Sequence, residues 1–279
     1  MGGLYDVSDR LDDHHEGAHP TKEQAGNDEA GKVLIRADVE GATGTLAPCL
    51  VINSHNFGGV GYLLYTGNMN KAILMKQIHD QLLNLKSSPL YQYRVDSGYY
   101  PVVGEGDVDA TVMLIGEAPG ETEAKTARPF CGASGRILDQ LLASVDLDRD
   151  SVYVTNVVKD RPPKNRDPKP EEIELYTPFL TRQIDIIQPQ IVATLGRFGM
   201  EFMFSNYDNN LELITKGKNK GKPKLPKISE AHGKTYDLKT AEGTAFKLVP
   251  LYHPAVSLYN PKTKTDLLDD FKILAKLLG

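Results

Sequence analysis

Three short stretches of the chain carry side chains that could do chemistry, and each follows a run of apolar residues. The first is the glycine-rich loop GEAPG at 116–120, which holds one acid, Glu117. The second contains Asn156, and the third begins with a lone histidine, His253. The loop lacks the Lys-Ser/Thr of a P-loop and the three-glycine spacing of a dinucleotide-binding turn, so a nucleotide-phosphate site is the weaker interpretation. Whether the three stretches form one site depends on the elements that position them.

The elements around these stretches alternate between strands and helices. Short apolar runs predict four buried strands, and apolar residues at helical spacing predict the helices between them. Such alternation implies right-handed crossovers and a three-layer α/β/α fold around a central, mainly parallel, four-stranded sheet. Ligands bind such sheets at the carboxyl ends of the strands, which is where the three stretches lie. The predicted strands are 110–115, 152–158, 191–195 and 246–251, and the main predicted helices are 72–85, 134–145, 170–187 and 266–278.

Length and composition bound the class of protein. The chain has 279 residues, 40% of them hydrophobic and 25% charged, which accommodates one domain of about 180–200 residues with a full core. No apolar run reaches the roughly 18 residues of a membrane span, and no secretory signal is evident. The two cysteines, Cys49 and Cys131, are too few for a disulfide framework or a four-cysteine metal site. We therefore expect a cytoplasmic protein without a membrane partner.

The net charge of −5 is unevenly distributed along the chain. Residues 1–31 hold eight acids against two basic residues, whereas residues 215–240 hold eight lysines against two acids. Local fields steer a polyanion more than the total charge does, so the acidic total is weak evidence against DNA binding. The basic, glycine- and proline-broken segment 216–227 predicts a flexible loop, either simply solvated or in contact with phosphates.

We divide the chain into three parts. Residues 1–31 predict a disordered acidic tail, in which solvated histidines are a better interpretation of DHHEGAH (13–19) than a metal site. Residues 32–68 form an N-terminal extension with a few irregular strands and no assigned role. Residues 69–279 carry all the regular signals and form the functional domain.

Three longer strings resemble one known family. They are GEAPGETEAKTARPFCGASG (116–135), VYVTNVVKDRPPKNRDPKPEEI (152–173) and YHPAVSLYNP (252–261). In order and spacing they are similar to the uracil-DNA glycosylase superfamily, and most of all to its family 4, over roughly residues 70–279. The resemblance implies that fold, uracil-containing DNA as partner, and a base flipped out of the stack into a pocket.

The resemblance also assigns the residues that would bind uracil. Phe130 matches the aromatic residue that stacks on the base. Asn156 matches the amide that pairs with N3–H and O4, a pattern that cytosine reverses. Glu123 matches the glutamate that packs near C5, where it would exclude the thymine methyl group. Gly116 and Ala118 belong to the loop whose backbone N–H groups face the base.

Two residues are implied in bond cleavage. His253 matches the histidine that donates a hydrogen bond to uracil O2, where negative charge develops as the bond breaks. Glu117 is the loop carboxylate left to position water or stabilise the sugar cation, although bracing the loop is the alternative. The best-known superfamily members carry an Asp at the next position, which is Ala118 here.

Several residues are expected to hold and distort the DNA. Ser134, interpreted as the cap of a helix, offers an oxygen and backbone donors to a phosphate. Leu258 matches an apolar wedge that fills the space left by the flipped nucleotide. Tyr259 stands where the family usually has Arg, so stacking would replace one phosphate contact. The proline-rich loop adds cations expected to face phosphates, namely Lys159, Arg161, Lys164, Arg166 and Lys169.

The chain departs from family 4 at the iron–sulfur cluster. Family 4 enzymes hold a [4Fe–4S] cluster with four cysteines, and the matching positions here are Leu85, Ser88, Asp160 and Tyr176. We therefore predict no cluster and no other cofactor or metal. Apolar packing around Tyr176 or a salt bridge from Asp160 could substitute for it.

These observations predict a monofunctional uracil-DNA glycosylase of base excision repair. It would act as a monomer on single- or double-stranded DNA, in the cytoplasm and at the nucleoid, and leave an abasic site. The alternative is a catalytically silent uracil- or DNA-binding scaffold in replication or repair. The combination of Phe130, Asn156 and His253 favours the enzyme.

Overall fold

The structure, a computed structural model, describes residues 70–258 and 261–279 and four short strands nearer the N-terminus. The chain divides into two units, Met1–Met69 and Asn70–Gly279. In the first unit an antiparallel sheet has the order β1-β2-β3-β4. The remainder of the predicted acidic tail and N-terminal extension lies outside the described residues. The four strands are β1 (Ala25–Asn27), β2 (Val33–Ile35), β3 (Leu50–Asn53) and β4 (Tyr62–Tyr65).

The second unit contains the predicted alternation of strands and helices. Its strands are β5 (Glu105–Gly106), β6 (Val112–Gly116), β7 (Tyr153–Asn156), β8 (Ile191–Leu195), β9 (Tyr236–Lys239) and β10 (Ala245–Leu251). Its helices are α1 (Lys71–Leu83), α2 (Tyr91–Asp96), α3 (Glu121–Thr126), α4 (Ala133–Ala143), α5 (Pro170–Ile187), α6 (Arg197–Tyr207), α7 (Ile228–Ala231) and α8 (Pro261–Leu278).

Six strands form the sheet of this unit, in the order β5-β7-β6-β8-β10-β9. The four central strands β7, β6, β8 and β10 are parallel, as the apolar runs predicted. β6, β7 and β8 are buried along their whole length, which is typical of strands covered on both faces. The short strands β5 and β9 add antiparallel edges, which the sequence did not predict because neither has a long apolar run.

The helices cover both faces of this sheet, so the three-layer α/β/α fold is confirmed. On one face α1, α5 and α6 bury residues such as Ile78, Tyr176 and Met200 against the strands. On the other face α4 and α8 bury Leu138 and Phe271. Because the interior is closely packed on both faces, the strand ends are held at fixed separations. Among the described helices, none is both long and apolar enough to cross a membrane.

Candidate active site

The candidate site lies at the carboxyl edge of the four parallel strands. β6 ends at Gly116, β7 at Asn156 and β8 at Leu195, and β10 ends two residues before His253. Parallel strands place these ends on one edge of the sheet, so three stretches distant in sequence meet there. The sequence predicted this convergence.

Gly116, Phe130 and Asn156 pack closely against one another at this edge of the sheet. A Cβ atom built on Gly116 would overlap Oδ1 of Asn156 and would lie 2.6 Å from Cζ of Phe130. Glycine is therefore required at this position, since any side chain would fill the space between the amide and the ring. The structure thus brings together three of the residues predicted to bind the base.

Asn156 carries a buried, unsatisfied acceptor beside Gly116. The residue is 1% exposed, and its Oδ1 accepts no hydrogen bond from the described residues. A buried polar atom without a partner costs about 1–3 kcal/mol, so this oxygen is a candidate to accept a hydrogen bond from a bound ligand. The backbone around it is fixed, because the N–H of Val157 donates to the carbonyl of Gly116 at 3.0 Å.

Phe130 lies at the sharp turn that precedes α4. Its φ of 49° is in the left-handed region, which is unfavourable for a bulky residue and is often found at functional sites. The turn packs so closely that a Cβ on Gly135 would overlap the Phe130 carbonyl. The ring is 7% exposed and its centroid lies 5.7 Å from that of the His253 imidazole. Phe130 therefore places an aromatic ring between Gly116 and the His253 imidazole.

Glu123 holds the glycine loop and the start of α4 together. Its Oε1 accepts a hydrogen bond from the Gly132 N–H at 2.9 Å, and a Cβ on Gly120 would lie 2.5 Å from its Oε2. The carboxylate is also close enough to His253 to interact with it electrostatically. The structure therefore gives Glu123 a bracing contact in addition to its predicted place beside the base.

The imidazole of His253 is neutral and has one defined donor. Burial lowers the pKa of His253 to about 4, against which the nearby Glu123 carboxylate acts only weakly. Its Nδ1 accepts a hydrogen bond from the Ala255 N–H at 3.2 Å, so the proton resides on Nε2. Gly196, with φ of 97°, packs against the ring: a Cβ there would lie 3.2 Å from Cβ of His253. The histidine can thus donate one hydrogen bond without carrying charge.

Glu117 is partly buried beside β6 and has a strongly shifted pKa. The pKa of Glu117 is raised to about 7, chiefly by burial and also by the negative charge of Asp167, whereas the Arg197 guanidinium acts to lower it. Arg197 and Asp167 themselves form a salt bridge of 3.0 Å. An acid with a pKa near neutrality suits proton transfer or charge stabilisation at physiological pH. Ala118, next in the loop, packs against the core.

Sequence reasoning did not identify Arg197 and Asp167. Arg197 begins α6, two residues after the end of β8, so the rule that ligands bind at strand ends could have singled it out. Asp167 offered no such signal, because it lies in a loop more than 45 residues from Glu117 in sequence. Only the folded chain places its charge near that carboxyl group.

Some cations of the proline-rich loop are exposed, whereas others are already bound to groups of the protein. Lys164 is exposed. Arg166 is held by a bidentate pair with Glu172, at 2.8 and 2.5 Å. Arg161 is only 8% exposed, and its guanidinium donates to the hydroxyl of Tyr99 at 2.7 Å. This geometry gives Arg161 the role of fastening the loop and leaves Lys164 and Lys169 as exposed cations.

Lys159 does not face phosphates, contrary to the expectation from the basic character of this loop. It is fully buried, and its Nζ donates three hydrogen bonds inside the domain. The expectation was wrong because a charge count along the chain does not distinguish an exposed lysine from one whose donors are all satisfied inside.

Ser134 and Leu258 flank the site on two different elements. Ser134 is the second residue of α4, and the cap of that helix is Gly132 instead, without a side-chain hydrogen bond. Its predicted position as N-cap is therefore wrong, although it remains in the first turn, where N–H groups are free to bind anions. Leu258 ends a short 3₁₀ turn after His253 and is 47% exposed. Tyr259 lies outside the described residues.

The first part of the lysine-rich segment forms the tip of an exposed hairpin. Leu213 pairs with Pro223 in antiparallel fashion, and the N–H of Gly221 donates to the Ile214 carbonyl at 2.8 Å. Lys216, Lys218 and Lys220 are all exposed near its tip.

A buried polar network occupies the positions matched to the cluster cysteines. Tyr176 donates to Asp160 at 2.5 Å and contacts the Ser88 hydroxyl at 2.8 Å. Arg94, 5% exposed, pairs with both oxygens of Asp160 at 2.9 and 3.1 Å. Leu85 packs at the edge of the core. A hydrocarbon, two neutral hydroxyls and a carboxylate already paired with arginine do not fit an iron–sulfur cluster, whose irons are held by thiolates.

Comparison with known proteins identifies the family of the chain. A family model described as the uracil DNA glycosylase superfamily matches residues 103–274. A type-4 uracil-DNA glycosylase from Sulfurisphaera tokodaii is 41% identical over 204 residues, which cover 73% of this chain and 84% of the relative. One from Archaeoglobus fulgidus is 39% identical over 187 residues, or 67% of this chain and 85% of the relative. A type-5 enzyme from Thermus thermophilus is 33% identical over 122 residues, or 38% of this chain and 55% of the relative.

The family model and these relatives define the class of this α/β/α domain. The chain belongs to the uracil-DNA glycosylase superfamily. Its relatives named above include type-4 enzymes that align over most of their length.

Proposed function

We propose that the protein is a uracil-DNA glycosylase that hydrolyses the N-glycosidic bond of deoxyuridine in DNA. The observation that carries the proposal is the unpaired, buried Oδ1 of Asn156, which lies beside Gly116 and the Phe130 ring. The Phe130 ring and the neutral imidazole of His253 lie side by side near this acceptor, with ring centroids 5.7 Å apart, and the flipped base would bind against them.

Asn156 selects uracil by the direction of its hydrogen bonds. Oδ1 accepts from N3–H of the base, and Nδ2 donates to O4. Cytosine has an acceptor at N3 and a donor at N4, so the same amide would face two mismatched groups. A site built to hydrogen-bond one base rejects the other because its buried polar groups are then left unpaired.

His253 stabilises the leaving group as the bond breaks. Water adds across the C1′–N1 bond: C1′ of the sugar takes the hydroxyl group, and uracil leaves as an anion whose charge resides partly on O2. The remaining proton of the water passes to solvent, from which the released uracil anion is reprotonated. The Nε2–H of a neutral imidazole donates to uracil O2 without proton transfer. A preorganised donor of this kind contributes about 3 kcal/mol to transition-state stabilisation.

Glu117 acts on the sugar side of the bond. Its carboxylate either orients the attacking water or stabilises the developing sugar cation, and both roles require the ionised form. Because the pKa of Glu117 is about 7, that form predominates only above neutrality. Arg197 and Asp167 tune this value in opposite directions.

The DNA is held around the pocket by residues on separate loops. Leu258, nearly half exposed, enters the stack where the base has left. Lys164 and the first turn of α4 with Ser134 contact phosphates. We propose a monomer that acts inside the cell on uracil in single- or double-stranded DNA and so begins base excision repair.

The protein works without an iron–sulfur cluster under this proposal. The Arg94–Asp160–Tyr176 network supplies the cross-link between α2, the loop after β7 and α5. None of the hydrogen bonds that this network makes among the described residues involves Asn156, so the residues at the cluster positions have a structural role. Iron and sulfide analysis of protein purified without oxygen tests this statement, and four irons per chain would contradict it.

Incubation with end-labelled oligonucleotides containing one deoxyuridine tests the function. Alkali then cleaves the abasic sites, and we expect product from single strands and from both U·A and U·G duplexes, but not from oligonucleotides with cytosine or thymine instead. His253→Ala should lose the activity, whereas the matched variant His79→Ala, at an exposed histidine on α1, should retain it. Tight binding of uracil-containing DNA without product from the wild type would instead establish the silent scaffold.

A further inference from the structure

The buried amine of Lys159 lies directly behind the residue that reads the base. Its Nζ is 2.7 Å from the carbonyl oxygen of Asn156, 2.7 Å from Oγ1 of Thr155 and 2.6 Å from Oε1 of Gln183. The side chain is 0% exposed, and burial lowers the pKa of Lys159 well below its ordinary value. A lysine so deeply buried is rare unless its donors are satisfied.

The three acceptors match the donors of an ammonium group. An ammonium carries three N–H bonds, and each can point at one of these oxygens. Thr155 and Gln183 are held in turn: Thr155 Oγ1 donates to the Val103 carbonyl at 2.7 Å, and Gln183 Nε2 donates to the same oxygen at 2.9 Å. The amine is therefore the centre of a network that joins α5, β7 and the segment before β5.

One of these bonds fixes the backbone of Asn156. The residue ends β7, where the sheet no longer holds it on both sides. On one side the Val157 N–H donates to Gly116, and on the other the Asn156 carbonyl accepts from Lys159. These two bonds hold opposite edges of the peptide group that joins Asn156 to Val157, and this restricts the directions that the Asn156 side chain can take.

We propose that Lys159 is a positioning residue that sets the direction of the Asn156 amide and thereby the discrimination of uracil. It touches neither DNA nor base. The inference rests on the proposed role of Asn156, and it assigns to Lys159 a function in specificity that its exposed neighbours in the loop do not share. Without the amine, the carbonyl of Asn156 is left buried and unpaired, and the turn relaxes to find another donor.

Lys159→Met tests the proposal, because methionine matches the length of the side chain and removes the donors. We expect kcat/KM on a deoxyuridine oligonucleotide to fall about ten- to a hundredfold, and inhibition by free uracil to weaken by a similar factor. Asn156→Ala should have a large effect of its own. In that background, Lys159→Met should change kcat/KM by no more than about twofold, since there is no longer an amide to position.

Arg94→Met is the matched control, because it also removes a buried, hydrogen-bonded cation. It should lower the melting temperature but leave kcat/KM and uracil inhibition nearly unchanged in the protein that remains folded. If Lys159→Met does not fold, Gln183→Leu removes one partner of the amine and is compared in the same two backgrounds.

The outcomes separate this inference from the proposed function. A wild type that releases no uracil, or an Asn156→Ala variant with full activity, contradicts the function itself. If the wild type is active but Lys159→Met lowers kcat/KM by the same factor in the presence and in the absence of the Asn156 amide, the positioning role is refuted. Unchanged kcat/KM and uracil inhibition in folded Lys159→Met refute it as well.

Discussion

Replacing Glu117 with glutamine separates the electrostatic cost of this residue from its contribution to catalysis. The carboxyl group has a pKa of about 7 in the folded protein against an ordinary value of 4.5, chiefly because it is partly buried. The folded state therefore binds the proton more tightly than the unfolded chain does. The resulting stabilisation is fully present below pH 4.5 and is lost as the pH rises through 7.

The magnitude follows from the difference between the two pKa values. Ionising Glu117 in the folded protein costs at most about 3 kcal/mol relative to the unfolded chain once the pH is well above 7, and less than that because solvent screens a partly exposed carboxylate. Glutamine has the shape of the protonated acid and cannot ionise. We expect Glu117→Gln to be about as stable as the wild type at pH 4.5 and more stable at pH 8, by up to roughly 3 kcal/mol, or about 6–12 °C in melting temperature.

Thermal unfolding from pH 4.5 to 9 measures this difference, and glycosylase assays over the same range measure the catalytic loss. Wild-type kcat/KM should rise with pH to a plateau above about 7, whereas that of Glu117→Gln should be low and flat. Glu121→Gln, at an exposed carboxylate paired with Lys125, is the control and should gain no stability at pH 8. A stability difference between wild type and Glu117→Gln that is the same at pH 5 and pH 8 would refute the reasoning.

Three further substitutions test other parts of the structure. His253→Ala should lower kcat by about 100- to 1,000-fold in single-turnover assays, and a tenfold loss or less would contradict the assigned hydrogen bond. The residual activity of Glu117→Gln should show no histidine titration between pH 5.5 and 8, because the pKa of His253 is about 4. Arg94→Met should lower the free energy of unfolding, measured with denaturant, by about 3–5 kcal/mol, since it leaves the Asp160 carboxylate buried without its partner. A loss under 1 kcal/mol would show that the network is not a structural cross-link. Gly116→Ala should abolish uracil release and inhibition by uracil, because its Cβ would overlap Asn156 Oδ1; normal inhibition by uracil would place the base elsewhere.

Much of the framework could be predicted from local pattern alone. Continuous apolar runs such as 112–116 and 191–195 indicate strands covered on both faces, and four of them became the parallel centre of the sheet. Since parallel strands share a carboxyl edge, the glycine loop, Asn156 and His253 had to meet. The two short edge strands were not predictable, because two to four residues carry too little hydrophobic signal.

The sequence by itself thus determined the family, the architecture and the positions of the amide and the imidazole. The tertiary structure alone decided the state of the charged groups. Lys159 and Arg161 look like neighbouring surface cations in the chain, yet one is buried against Gln183 and the other is bound to Tyr99. Glu117 likewise acquires its pKa from burial and from a distant aspartate. The physical reason is that hydrophobic periodicity is local, whereas the energy of a charge depends on every group that packs around it, however far away along the chain.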